Sequence, residues 1–152
     1  MSRSSSRPWL LAGGLATVIV LLDQATKALV EDRLVPGEHV DLAGPLGLTL
    51  AHNEGVAFGL ASGGGAVLIG LTVAALAFVG VLFARNPGRP GMWVAFGLLA
   101  GGALGNLVDR VRADAVTDYV DFLSWPPFNL ADVAVTLGVV GLALSYLREP
   151  TS

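Results

Sequence analysis

Four apolar stretches constrain most strongly what this chain can fold into. They run over about residues 9–30, 66–84, 92–108 and 133–147. A helix that spans a bilayer needs roughly 20 mostly apolar residues. The composition agrees, because 53% of the residues are hydrophobic and only 14% are charged, whereas about 25% are charged in a typical soluble domain. The sequence therefore predicts a single all-α membrane domain over residues 1–152, with four transmembrane helices.

The first stretch has a second interpretation. Arg3 and Arg7 precede its apolar core, a pattern that is also typical of a cleavable secretory signal. No small-x-small cleavage site follows Leu22 directly, and three further apolar stretches come after it. These features favour a helix that is retained in the protein.

The connections between the stretches predict an orientation and a small sheet. Residues 85–91 (RNPGRPG) form a basic turn, and four spans place both termini on its side of the membrane. That side carries five Lys and Arg residues against four on the other, so the positive-inside rule predicts cytoplasmic termini. The connections at about 31–65 and 109–132 are then extracytoplasmic. Within the first, the run Leu46–Leu50 alternates leucine with smaller residues, which predicts a strand in a small extracytoplasmic β-sheet.

Polar side chains collect at the outward ends of the stretches, where ionisable groups either pair with one another or mark a functional site. Asn106, Asp109 and Arg110 close the third stretch. For Asp109 and Arg112 a capping role at the membrane interface is favoured. Glycines recur every four residues in this stretch, up to Gly105, which predicts a face that another helix approaches closely.

Asp121 and Asp132 are candidates for an acidic pair. They lie eleven residues apart across a loop that contains two prolines. Two carboxylates held close together share a proton, so that one acts as a base on water while the other polarises a carbonyl. Asp132 also precedes an apolar helix, where an acid interacts well with the helix dipole. Spacing alone favours the cap-and-loop interpretation over the dyad.

Composition excludes several kinds of chemistry. The chain has no cysteine, so disulfides, thiolate metal sites and cysteine nucleophiles are excluded. Its two histidines, His39 and His52, are too few for a histidine-rich metal site. No basic tract indicates nucleic acid, and we expect neither a metal nor a cofactor.

Five motifs resemble the signature blocks of signal peptidase II, in that family's order and at compatible spacings. They are D-Q-A-T-K (23–27), N-E-G-V-A-F (53–58), G-G-A-L-G-N-L-V-D-R (101–110), V-D-F (120–122) and F-N-L-A-D (128–132). The resemblance implies an intramembrane aspartic endopeptidase that removes the signal peptide from diacylglyceryl-modified bacterial prolipoproteins, just before the lipidated Cys. It implies a multi-pass protein of the bacterial cytoplasmic membrane, with its site at the outer face and membrane lipid around it.

The resemblance also implies roles for individual residues. The catalytic pair would be Asp121 and Asp132, with no metal. The substrate-binding residues would be Asn53, Asn106, Arg110 and Asn129. Asp23 and Lys27 would support the site, together with Gly105. Cyclic peptides of the globomycin type would inhibit the protein, and one chain would complete the site, so we expect a monomer.

Two other functions compete with the peptidase. Acidic residues in membranes also form proton paths in transporters, although such acids lie nearer mid-membrane and often in repeated halves. A structural subunit could use its polar residues only for helix packing. That interpretation leaves Asp121 and Asp132 without a particular role.

Overall fold

Four long helices form the body of the protein in the computed structural model, which describes residues 6–55, 64–123 and 125–147. Each helix contains one of the predicted spans and is long and apolar enough to cross a membrane. The helices are α1 (Ser6–Arg33), α2 (Gly64–Arg85), α3 (Met92–Ala113) and α4 (Leu130–Leu147). The end of the N-E-G-V-A-F motif, from Val56, and the glycine before α2, Gly63, lie outside the described residues.

The third helix, α3, is the centre of the bundle. It packs against each of the other three helices. In the most apolar 18-residue segment of α3, 56% of the residues are buried, against 11% in the corresponding segment of α2. Glycine makes the close approaches possible: a Cβ at Gly101 would lie 2.7 Å from Ile19 Cβ in α1, and one at Gly138 would lie 2.6 Å from Leu99 Cγ. The predicted glycine face of α3 is confirmed, and α1 lies against it.

A four-stranded antiparallel sheet lies at one end of the bundle. Its strands follow the order β1 (His39–Ala43), β2 (Leu46–Asn53), β3 (Val116–Phe122) and β4 (Trp125–Phe128). The predicted strand at Leu46–Leu50 is confirmed as part of β2. Leu50 is buried with Val30 and Tyr119, so the sheet packs directly on the end of α1.

The opposite end of the bundle is closed by the turn between α2 and α3. Gly91 precedes α3 with φ of 76°, a conformation that favours glycine. In the same turn the Arg89 Nε–H donates to the Ser145 carbonyl at 2.6 Å. A cation here stabilises the free carbonyls at the C-terminal end of α4. The sheet and this turn therefore lie at opposite ends of the four helices.

Candidate active site

The first turn of α4 places one carboxylate at the sheet end of the bundle. Asn129 precedes the helix and Asp132 lies three residues later, which is the spacing of a capping box. The Asn129 backbone N–H donates to Asp132 Oδ2 at 3.1 Å, and the Asp132 N–H donates to Asn129 Oδ1 at 2.9 Å. The cap is therefore present, and it fixes the position of the Asp132 carboxylate.

Strand β3 places a second carboxylate beside the first. The fully buried Asn129 links the two, because its Nδ2 donates to Asp118 Oδ1 at 2.7 Å while its backbone holds Asp132. Asn53 at the end of β2 donates to Asp118 Oδ2 at 3.1 Å. Burial, together with the negative charge of Asp132, raises the pKa of Asp118 from 3.8 to about 6, although the Asn53 and Asn129 hydrogen bonds oppose the rise.

A buried polar network lies behind the two carboxylates. Asn106 Nδ2 donates to Asp132 Oδ1 at 2.9 Å. The Asn106 Oδ1 accepts from Lys27 Nζ at 3.0 Å and from Asn129 Nδ2 at 3.2 Å. Lys27 also pairs with Asp23 and with Asp109, each at 2.7 Å. One buried ammonium thus neutralises part of the charge on two buried carboxylates.

Asp23 joins this network to the start of α4. Its Oδ1 accepts from the Ala131 backbone N–H at 3.0 Å, and its side chain is fully buried. Gly105 makes room for it, because a Cβ there would lie 2.6 Å from Asp23 Oδ2. The structure therefore brings the three expected support residues, Asp23, Lys27 and Gly105, into one contact group.

Asp121 lies elsewhere, contrary to the expected pairing with Asp132. It is three residues from Asp118 on β3, and side chains at odd spacing point to opposite faces of a strand. Its Oδ2 lies 3.1 Å from His39 Nδ1 on β1. Gly47 on β2 permits this contact, since a Cβ there would lie 2.6 Å from His39 Cε1. The carboxyl that shares a polar group with Asp132 is that of Asp118.

The sequence alone did not distinguish Asp118 from Asp121, because both acids lie in the same short segment and each precedes an aromatic residue. Asp118 precedes Tyr119, and Asp121 precedes Phe122. Strand alternation was the available signal: one of the two had to face the bundle, but the sequence does not say which. The pairing of β3 with β2, which sets Asn53 opposite Val116, decides this.

The expected interfacial role of Asp109 is also wrong. Asp109 is buried, and besides the Lys27 contact its Oδ1 accepts from Gln24 Nε2 at 2.8 Å. The pairing with α1 supplies the partners that α3 alone lacks, so the carboxylate need not reach water. Arg112 is exposed, and its Nη1 donates to Gln24 Oε1 at 3.4 Å.

Two cavities open beside Asp132. One, of about 250 Å³, lies between α2, α3 and α4. Its walls are mostly apolar, and its polar lining comes from Thr72, Asn106, Arg110 and Asp132. The other, of about 280 Å³, runs between β4 and α4 and is lined by Trp125, Phe128 and Asp132 among others. Asp132 thus borders two apolar spaces from which a substrate could approach.

Among the described residues, no group of three or more His, Asp or Glu side chains is arranged to hold a metal ion.

The fold and site define a class: multi-pass membrane proteins with a sheet at one end and two neighbouring carboxyls where sheet and helices meet. Within that class, a family model described as signal peptidase (SPase) II matches residues 15–148. The chain therefore belongs to the signal peptidase II family, a family of peptidases of bacterial membranes.

Curated relatives and solved structures agree with this membership. A lipoprotein signal peptidase of Pelotomaculum thermopropionicum is 42% identical over 89% of this chain and 90% of its own length. One of Brucella ovis is 45% identical, over 78% of each chain. A solved bacterial membrane enzyme superposes with a TM-score of 0.83 at 29% identity, over 91% of this chain and 94% of that one.

Proposed function

We propose that this chain is an aspartic endopeptidase that cleaves diacylglyceryl-modified prolipoproteins just before the lipidated Cys, with Asp118 and Asp132 as its catalytic pair. The observation that carries the proposal is the Asn129 bridge, which binds one carboxyl through its side chain and the other through its backbone. Asp118 replaces Asp121 in the pair that the sequence suggested. The restriction to a lipidated substrate rests on the family.

The two carboxyls would take different roles. The raised pKa of Asp118 favours its protonated form, which can donate a hydrogen bond to the scissile carbonyl oxygen. Asp132 lies at the N-terminus of α4 and accepts from two N–H groups, which favour a carboxylate there. Asp132 then removes a proton from water, and the oxygen of that water attacks the carbonyl carbon. The tetrahedral intermediate collapses when the proton on Asp132 passes to the leaving amine.

The residues expected to bind substrate divide into two groups. Asn53, Asn106 and Asn129 donate hydrogen bonds to the two carboxyls, so we propose that they hold the catalytic pair. Arg110 lines the cavity between α2, α3 and α4, where its guanidinium suits a backbone carbonyl of the substrate. Apolar walls around it suit the hydrophobic parts of a lipidated precursor.

We propose that the site faces outward from the bacterial cytoplasmic membrane and that both termini are cytoplasmic. The site lies at the sheet end of the bundle, where α1 and α3 end and α4 begins. The basic turn before α3 lies at the other end, which the positive-inside rule assigns to the cytoplasm. One chain supplies both carboxyls, so a monomer suffices, and cyclic peptides of the globomycin type would compete for the same cavity.

The test is cleavage of a diacylglyceryl-modified prolipoprotein by the purified protein in detergent, beside the same precursor without its lipid. We expect cleavage of the lipidated form only. Asp118→Asn and Asp132→Asn should each lose at least about 100-fold in kcat, as general acid–base groups do. Asp121→Asn is the matched control and should retain most activity.

Two results would contradict the proposal. An inactive Asp121→Asn beside an active Asp118→Asn would restore the pair expected from the sequence. A folded wild-type protein that cleaves neither precursor would favour the transporter or structural interpretation. In either case correct folding is checked by thermal unfolding of each sample.

A further inference from the structure

The amide of Asn106 has two possible orientations, and the structure shows what selects one. In the observed orientation its Oδ1 faces Lys27 Nζ at 3.0 Å and its Nδ2 faces Asp132 Oδ1 at 2.9 Å. Rotation of the amide by half a turn would set NH₂ against an ammonium and an oxygen against a carboxylate. Both contacts would then be repulsive, because lysine has only donors and an ionised carboxylate only acceptors.

The other donor to Asn106 is weaker. Asn129 Nδ2 reaches Asn106 Oδ1 at 3.2 Å, but the same group donates to Asp118 at 2.7 Å and to the Thr117 carbonyl at 3.3 Å. Lys27 brings a full charge at a shorter distance, and charge-assisted hydrogen bonds are about twice as strong as neutral ones. The ammonium is therefore the main group that fixes the amide.

Lys27 is itself held rigidly. It is 3% exposed, and its remaining contacts run to Asp23 and Asp109, at 2.7 Å each. These two carboxylates come from α1 and α3, so the ammonium lies where both helices meet. Its position relative to Asn106 is thus set by the helix packing.

We propose that Lys27 is a positioning residue for the reaction: through Asn106 it directs an N–H donor at Asp132 and stabilises negative charge there. This inference rests on the proposed function of Asp132 as the base. It goes further than support of the fold, because it assigns the lysine an effect on the chemical step. Among the described residues, the charged and titratable groups near Asp132 are Asp118 from β3, Arg110 from α3, which lines the same cavity, and, through Asn106, Lys27 from α1.

A double-mutant cycle tests this. Lys27→Met and Asn106→Ala should each lower kcat by about 10- to 100-fold, the range for a lost hydrogen bond to a buried charged group. If the lysine acts through the amide, the double variant falls no further than Asn106→Ala alone. In Lys27→Met the loss should fall on kcat with KM little changed, since the lysine acts on Asp132 through Asn106. Losses that multiply, or a loss carried mainly by KM, would overturn the proposal.

Folding is controlled within the same series. Asp109→Asn alters a partner of Lys27 but leaves the hydrogen bond between Lys27 and Asn106 in place, so it should lower the thermal midpoint and lower kcat less than Lys27→Met does. The cycle is repeated in the Asp109→Asn background. There, Lys27→Met leaves only one carboxylate, that of Asp23, without its ammonium partner. Failure of Lys27→Met to fold in both backgrounds, with Asn106→Ala folded, would make the lysine structural only and overturn the proposal.

The Asp132→Asn variant distinguishes failure of the proposed function from failure of the positioning role of Lys27. Full activity in that variant would refute the proposed function itself. An inactive Asp132→Asn, combined with multiplicative losses for Lys27 and Asn106, would refute only the positioning role.

Discussion

Acidification is expected to stabilise the wild-type protein relative to Asp118→Asn. Asp118 is buried near another carboxylate, and its pKa in the folded state is about 6 against an ordinary value of 3.8. At about 1.4 kcal/mol for each pKa unit, the difference between these two pKa values corresponds to about 3 kcal/mol in the free energy of unfolding. Because the folded-state pKa is the higher one, this stabilisation is fully present below about pH 4 and is lost as the pH rises through about 6.

The measurement is the free energy of unfolding in detergent at a series of pH values, for the wild type and for Asp118→Asn. The asparagine stays neutral, so the difference between the two curves should change by about 3 kcal/mol between about pH 4 and pH 7. Asp121→Asn is the control, because it removes a carboxylate from the other face of the same strand. Parallel curves for the wild type and Asp118→Asn would refute the claim that burial and Asp132 act on this group.

Four further substitutions test contacts around the site and within α1. Gly105→Ala should cost about 1–3 kcal/mol of stability, because the added methyl group would overpack against a buried carboxylate of α1. Gly14 has open space around it, so Gly14→Ala should stabilise α1 by about 0.5–1 kcal/mol. Equal thermal midpoints for the two variants would contradict this. Asn53→Ala removes a hydrogen bond that lowers the pKa of Asp118, so the pKa should rise and the alkaline limb of the kcat profile should move to higher pH; an unmoved limb would exclude that contact. His39→Ala removes a polar contact with Asp121 at a partly exposed site, so stability should change by at most about 1 kcal/mol and cleavage should persist. Lost cleavage would place the histidine in the site.

The membrane architecture was predictable because apolar length carries the information by itself. A run of apolar residues near the thickness of a bilayer has few alternatives to a spanning helix. Each of the four predicted spans lies within a helix of the structure. The leucine alternation likewise predicted a strand, since a period of two is a local property of the chain.

Helix contacts were predictable only in part. The glycine repeat of α3 predicted a close approach by another helix, and in the structure that helix is α1. The sequence did not pair Asp109 with Lys27, because the two lie 82 positions apart and belong to different helices. The identity of a partner across such a distance is a property of packing.

The proposed catalytic pair shows most clearly what the sequence and the tertiary structure each determined. By itself the sequence determined four spans, a small sheet, the family and the position of Asp132, which follows from a local capping box. Only the tertiary structure decided that Asp118 is its neighbour while Asp121 contacts His39. The physical reason is that successive strand residues alternate between faces, and which face meets the helices depends on how β3 pairs with β2 and packs on the bundle.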